Sequence, residues 1–275
     1  MRKRRLNVPV CIVRPAIINT SYNEPFPGWI DSLAAAAALF LFVGLGIVRE
    51  LKADMKKIGD VIPVDMVSSL IIVATAFNLR NTNFSIYHVG SSDLNPLTWG
   101  EMQEEVQGYW NSTISPSKIG KSHVLMSTSQ YEIDIQKLKR KIPLEVYLRL
   151  SPLLGKQHQK NAQKMVKTLK RGDEVSKMFD FFVNNDWVYE CRNLRKLLSQ
   201  LNPEEKKIFF IDIADIDFKK YIRINNYGLQ KYILKENAEE PIKQNSNLLR
   251  MHSQDDYFCD LKWALNTHMP IRPMS

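Results

Sequence analysis

Short β-branched runs open this chain, and leucine stripes at helical spacing dominate its second half. Val8 to Val13 predicts a strand that stops at Arg14-Pro15, where proline withholds a ladder donor. The loop Glu24-Pro25-Phe26-Pro27-Gly28-Trp29 alternates stiff prolines with a permissive glycine, so it should hold one shape. It either presents Phe26 and Trp29 as a pocket wall or packs both rings inward as a surface turn. Leu33 to Val48 is wholly apolar, but its 16 residues fall short of the roughly 20 a membrane span needs. Gly44 and Gly46 weaken its helical end, so the segment predicts a buried helix running into a turn. Val67, Leu70, Ile71 and Ala74 then repeat at helical spacing behind Asp65, a candidate N-cap. Ser85 to Gly90 reads as a strand, and Thr98 and Glu101 stand at capping-box spacing before a further helix.

Between Trp110 and Ser129 periodicity fades into Ser, Gly and Lys, which marks a domain boundary. Beyond it the pattern is helical. Met165, Val166 and Leu169 give a basic helix a narrow apolar stripe, and Leu194, Leu197, Leu198 and Leu201 form another behind Asn193, a candidate cap. Asn202-Pro203-Glu204-Glu205 carries cap, first-turn proline and capping-box glutamate together. A last helix from Asp215 or Asp217 should carry Phe218, Tyr221 and Ile222 inward and run past Gly228 to Leu234.

Composition adds a globular chain, 44% hydrophobic, with a net charge of +9 that calls for an anionic partner. The charge is uneven: residues 137–171 hold eleven lysines and arginines with Glu145 as the single acid. That basic helix is either a solvated face or a surface for anionic membranes or partners. Nothing but charge favours nucleic acid, because zinc-finger spacing and aromatic RNA-binding motifs are missing, so none is expected as a partner. Cys11, Cys191 and Cys259 lie too far apart for a C-x-x-C pair, and the five histidines form no H-E-x-x-H helix, so no metal is expected.

Two stretches resemble one enzyme family. Val10 to Asp31 reads VCIVRPAIINTSYNEPFPGWID, and Met178 to Lys235 carries paired phenylalanines, an Asn-Asp-Trp turn, the leucine helix, Leu-Asn-Pro-Glu-Glu-Lys and a Tyr-x-x-x-x-x-x-Gly-x-x-x-Tyr helix in order. Both are similar to the alcohol-forming fatty acyl-CoA reductases. The resemblance implies an α/β fold: part of a Rossmann-like reductase domain over residues 1–112, a mostly helical male-sterility domain over 113–236, and a tail over 237–275. It implies NADPH-dependent reduction of a long-chain acyl-CoA to a primary alcohol, at a peroxisomal or endoplasmic reticulum membrane. Arg14, Pro15, Ala16, Ile17 and Ile18 match the family strip beside the nicotinamide, and Glu24, Phe26, Gly28 and Trp29 the border of the acyl-CoA channel.

The chemistry of such a reductase needs a glycine-rich turn to cradle the dinucleotide phosphates and a tyrosine acid with a lysine one helical turn later. Gly44-Leu45-Gly46-Ile47-Val48-Arg49 is the nearest glycine pattern and has Arg where the third glycine belongs. Tyr227 and Lys231 match the spacing of the acid pair but sit in the helical block, a coincidence of spacing. Catalytic residues are therefore expected upstream of Met1, and these residues alone are expected to be inactive. The competing expectation is a non-enzymatic module that binds a membrane surface or a partner through 137–171.

Overall fold

A computed structural model describes residues 8–80 and 84–238. The tail from residue 239, with Cys259, His252 and His268, lies outside the described residues. Strand β1 (Cys11–Pro15) pairs in parallel with β5 (Ser85–Val89), β2 (Ile17–Asn19) with β4 (Val61–Pro63), and β3 (Glu50–Lys52) with β6 (Leu125–Ser127). Helices α1 (Ala35–Gly44), α2 (Val64–Arg80) and α3 (Trp99–Ser112) alternate with these strands. After β6 the chain is helical: α4 (Gln130–Leu150), α5 (Lys156–Val183), α6 (Arg192–Leu198), α7 (Pro203–Ile208) and α8 (Phe218–Gly228), which continues into a π turn over Leu229–Ile233. The fold is α/β, with parallel strands first and helices after.

One residue moves the chain between two strand pairs. The Ala16 N–H donates to Val89 O, the last residue of β5, and the Ile17 N–H donates to Asp60 O, just before β4. The strand expected at residue 8 begins at Cys11 and runs through Pro15, and the Ala16 N–H makes the last bond to β5.

The apolar run folds as expected into buried α1, ending in a turn with Gly46 at φ +73°. Gly44 lies flat against Trp110, where a Cβ would overlap the indole ring. Helix α2 centres its buried face on Leu70, with Met66, Val73 and Ala74 one turn either side, while Ile71 stays exposed. Asp65 does not cap α2. It lies inside the first turn and accepts the N–H groups of Tyr22, Asn23 and Glu24 at 2.9, 2.8 and 3.0 Å. Asp65→Ala should therefore cost about 2 kcal/mol in urea unfolding at pH 7, since it strips a charged acceptor from three backbone donors. An unchanged midpoint would show that water replaces it.

The capping boxes at Thr98 with Glu101 and Asn202 with Glu205 form as expected. Asn193 departs from expectation: its amide donates to Ile86 O of β5, 2.8 Å away, and Cys191 takes the cap position without a side-chain bond. Sequence spacing finds a helix start but not which acceptor wins the side chain. Helix α8 is central to the molecule. The Tyr221 hydroxyl donates to Thr20 O (2.9 Å), Tyr109 to Gln230 Oε1 (2.8 Å) and the Trp110 indole to Asn226 Oδ1 (2.7 Å). A single apolar cluster consequently runs from Ala36 in α1 to Leu229 beyond α8.

The basic stretch 137–171 is not one helix. It is split between α4 and α5, which fold back on each other around the turn at 151–155, where Gly155 has φ +110°. Arg140 fastens this hairpin to the strands: its guanidinium lies 3.1 Å from Glu50 of β3 and 3.1 Å from Asp173 of α5.

Candidate functional site

A cavity of about 220 Å³ opens where β1 and β5 end and β2 and β4 begin. Its floor is Pro15, Ala16 and Ile17, the joint at which the chain changes partners. Ile58, Asp60 and Trp99 form one side, and Phe182, Trp187 and Tyr189 from the helical part form the other. Ligands of open parallel sheets bind outside the carboxyl ends of strands at such a change of partner.

Several hydrogen bonds draw the helical part over this cavity. Asp186 accepts from Lys57 Nζ (2.6 Å) and from the Ile58 N–H (3.3 Å), fixing the turn that carries Trp187. The Asn184 amide donates to Lys52 O, the Tyr189 N–H to Ser92 Oγ and the Cys191 N–H to Asp93 Oδ2. Phe181, Phe182 and Trp187 pack together, with ring centroids 5.3 to 6.1 Å apart. Such spacing is typical of mutually supporting aromatic rings.

Polar groups in the wall are of two kinds. Asp60 is buried and fully engaged, accepting from Ser91 N–H and Oγ and from Ser92 N–H at 2.8 to 3.1 Å. Burial pushes its carboxyl above the usual range, and those hydrogen bonds pull it back in part. The indole N–H groups of Trp99 and Trp187 are buried without an acceptor and have no accessible surface, so they do not face the cavity. Nearby Cys191 stays a thiol, since burial pushes it up to about 11 and its Sγ donates to Gly90 O. No group of histidines, cysteines and carboxylates among the described residues could hold a metal ion.

The residues expected to bind cofactor divide. Pro15, Ala16 and Ile17 line the cavity, while the side chains of Arg14 and Ile18 are exposed outside it. The N–H groups of Ala16 and Ile17 are already spent on Val89 and Asp60. This strip can therefore offer a flat nicotinamide ring van der Waals contact, but it cannot cradle a pyrophosphate.

Glu24, Phe26, Gly28 and Trp29 lie elsewhere, in a loop packed on α8. Ser21 ties that loop together, accepting from Gly28 and Trp29 and donating to Phe26 O. Phe26 stacks toward Tyr232 at 5.7 Å and stays half exposed, and Gly28 touches Ile224 and Gly228. Lys231 donates to the Tyr227 hydroxyl at 2.6 Å, but neither residue lines the cavity. Sequence reasoning missed Ile58, Asp60, Phe182 and Tyr189 as cavity walls. The paired phenylalanines and the Asn-Asp-Trp turn were visible as motifs, without any sign of what they faced.

Parallel strands that exchange partners beneath a carboxyl-end cavity, followed by helices that close it, define a Rossmann-like α/β protein with a helical extension. Two family models, each described as male sterility protein, match the chain: an NAD-binding model over residues 1–71 and a second over residues 140–236. The chain belongs to the fatty acyl-CoA reductase family. It is similar to fatty acyl-CoA reductase 1 of Homo sapiens, 30% identical over 233 residues that cover 82% of this chain and 44% of that protein. Fatty acyl-CoA reductase 2 of Mus musculus is 30% identical over 250 residues, covering 90% and 48%. The corresponding figures for fatty acyl-CoA reductase 1 of Rattus norvegicus are 31% over 235 residues, 82% and 44%. The chain spans about half the length of the curated relatives it matches.

Proposed function

We propose that these residues form the acyl-binding and nicotinamide-facing part of an NADPH-dependent, alcohol-forming fatty acyl-CoA reductase. On this reading residues 1–112 belong to the reductase domain, 113–236 to the helical domain and 237–275 to a tail. The observation that carries it is the cavity floor Pro15-Ala16-Ile17, at the carboxyl end of β1 and roofed by aromatic residues of the helical part. NADPH, when bound, supplies the hydride. A long-chain acyl-CoA takes up two hydrides and two protons in all, releases coenzyme A as its thiol, and leaves as the primary alcohol. In this chain, Pro15 to Ile17 would orient the ring by contact, and Trp187 and Phe182 would keep water from the reacting carbon. No residue among the 275 supplies a glycine-rich phosphate turn.

Co-expression with the amino-terminal half of the human relative tests this. Hexadecanol should form from palmitoyl-CoA and NADPH when both polypeptides are present, and this chain alone should form none. A lack of product from the pair, with both polypeptides folded and associated, would refute the reading.

A second reading, docking on an anionic membrane surface, rests on α4. Leu138, Ile142, Val146 and Leu150 repeat every fourth residue and are each about half exposed, as is Leu154 in the following turn, where Leu153 is more open. Lys139, Lys141, Arg149 and Lys156 flank them, also exposed. No helix among the described residues is long and apolar enough to cross a membrane. Flotation with phosphatidylcholine vesicles containing phosphatidylserine should recover the protein, and 0.5 M salt or Leu150, Leu153 and Leu154→Ser should release it. Equal recovery with uncharged vesicles would refute an electrostatic contribution.

A further inference from the structure

We propose that the cavity prefers a flat aromatic cation to a neutral ring of the same shape, because Asp60 places a carboxylate without a cationic partner in its wall. Asp60 would then ease hydride donation, by facing the positive charge that a nicotinamide ring gains in giving up hydride. This inference rests on the nicotinamide-facing reading above and adds to it the residue that tunes the ring.

Size and lining fit one ring. At about 220 Å³ the cavity exceeds the roughly 150 Å³ that accepts benzene in a protein interior, and falls short of the roughly 300 Å³ at which drug-sized sites begin. Its floor, Pro15 to Ile17, is apolar, and the Ala16 and Ile17 N–H groups are already bonded. Trp99, Phe182, Trp187 and Tyr189 supply aromatic rings around it. Aromatic faces attract cations through the negative charge of their π-systems.

Asp60 adds a full charge to that preference. It lines the same cavity and is 4% exposed. Ser91 N–H, Ser91 Oγ and Ser92 N–H all donate to its carboxyl oxygens, a set of donors that calls for the ionised form. No lysine, arginine or histidine pairs with Asp60 among the described residues. Lys57, three residues before it, is held by Asp186 instead. A buried carboxylate without a cation is costly, and a cation entering the cavity relieves that cost. The field of such a charge is strong in a water-poor wall and needs no contact with the ligand.

The carboxylate is also fixed in place. Ser92, which donates to it, accepts from the Tyr189 N–H of the roof at 2.8 Å, so charge and roof hold one arrangement. A charge already set where the opposite charge develops costs no reorganisation during reaction. In the transfer a C–H bond of the ring breaks with its electron pair, and a C–H bond forms at the acyl carbon. The ring is left positive opposite Asp60, and no further reactant is needed.

Titration of the whole 275-residue chain at pH 7.5, followed by nuclear magnetic resonance, tests this with 1-methylnicotinamide, a cation, and 3-methylbenzamide, its neutral isostere. The chain carries a net charge of +9 and repels cations in general, so a preference for the cation reports the cavity. 1-Methylnicotinamide should bind about tenfold more tightly than its isostere. Asp60→Asn should reduce that preference to about threefold or less and leave 3-methylbenzamide unchanged, a loss of charge selectivity that a merely structural role would not produce. The comparison on the parent chain decides the matter even if that variant does not fold. Equal affinity of the two ligands for the parent chain overturns the inference. Choline binding as tightly as 1-methylnicotinamide also overturns it, by assigning the cavity to an alkylammonium group. Hexadecanol formation by the complemented enzyme, with equal affinity for the two ligands, would sink this inference and leave the reductase reading standing. Charge-selective binding without turnover would leave the cation preference standing and sink that reading.

Discussion

Replacing Arg140 by methionine should destabilise the protein by about 3–5 kcal/mol at pH 7.5, and by clearly less at pH 5. Arg140 is the partly buried countercharge of Glu50, whose side chain is only 6% exposed. Burial already raises the Glu50 carboxyl above its usual value, and the neighbouring Arg140 guanidinium, with Lys137 and Arg49 behind it, draws it partly back down. Methionine fills similar space but removes the largest favourable charge on that carboxylate, leaving Lys137 and Arg49, so the Glu50 carboxyl would rise further. A carboxyl raised in the folded state contributes stability that is present below its unfolded value, 4.5, and lost as pH climbs through the folded value. The deficit of the variant therefore grows with pH. Urea unfolding at the two pH values reads it, and an equal loss at both would mean that Glu50 finds water instead. Glu50→Gln should cost less than Arg140→Met, because it removes the buried charge and leaves Arg140 paired with Asp173.

Gly228→Ala should cost about 3 kcal/mol or more, against what helix propensity alone predicts. Within a helix, alanine for glycine ordinarily gains about 1 kcal/mol. Here a Cβ on Gly228 would overlap the carbonyl group of Gly28, which belongs to the backbone and cannot rotate aside. Gly28 is itself fixed at φ +78° by Ser21, so the loop cannot retreat without breaking the contacts that hold residues 21 to 29. Relief requires α8 to move, and α8 with its π turn holds Tyr221, Asn226 and Gln230 in the shared core through hydrogen bonds to Thr20, Trp110 and Tyr109. A variant as stable as the parent would show that this crossing is looser than drawn.

Local chemistry made much of the fold legible. Capping boxes at Thr98 and Asn202, the buried run of α1 and the start of α8 at Asp217 each depend on residues a few positions apart. Readings failed where a side chain had a choice of distant partners. Asp65 left the cap it was expected to make for three donors some forty residues away, and Asn193 preferred a strand carbonyl to its own helix. The basic stretch divided because Gly155 takes a positive φ and lets α5 return along α4.

The same division holds for the candidate site. The family motifs were in the sequence because each is a contiguous string, and so, through the family resemblance, was the strip Arg14 to Ile18, of which Pro15 to Ile17 line the cavity. Which surfaces meet across 170 residues was not, because nothing near Pro15 encodes Phe182 or Trp187. Sequence by itself determined the periods, caps and stops that make strands and helices, since those energies are local. Only the tertiary structure decided that the helical part closes the cavity while the Glu24 to Trp29 loop lies away from it on α8. Those placements follow from the burial of one shared core and from a few long-range hydrogen bonds at Asp186, Ser92 and Asp93.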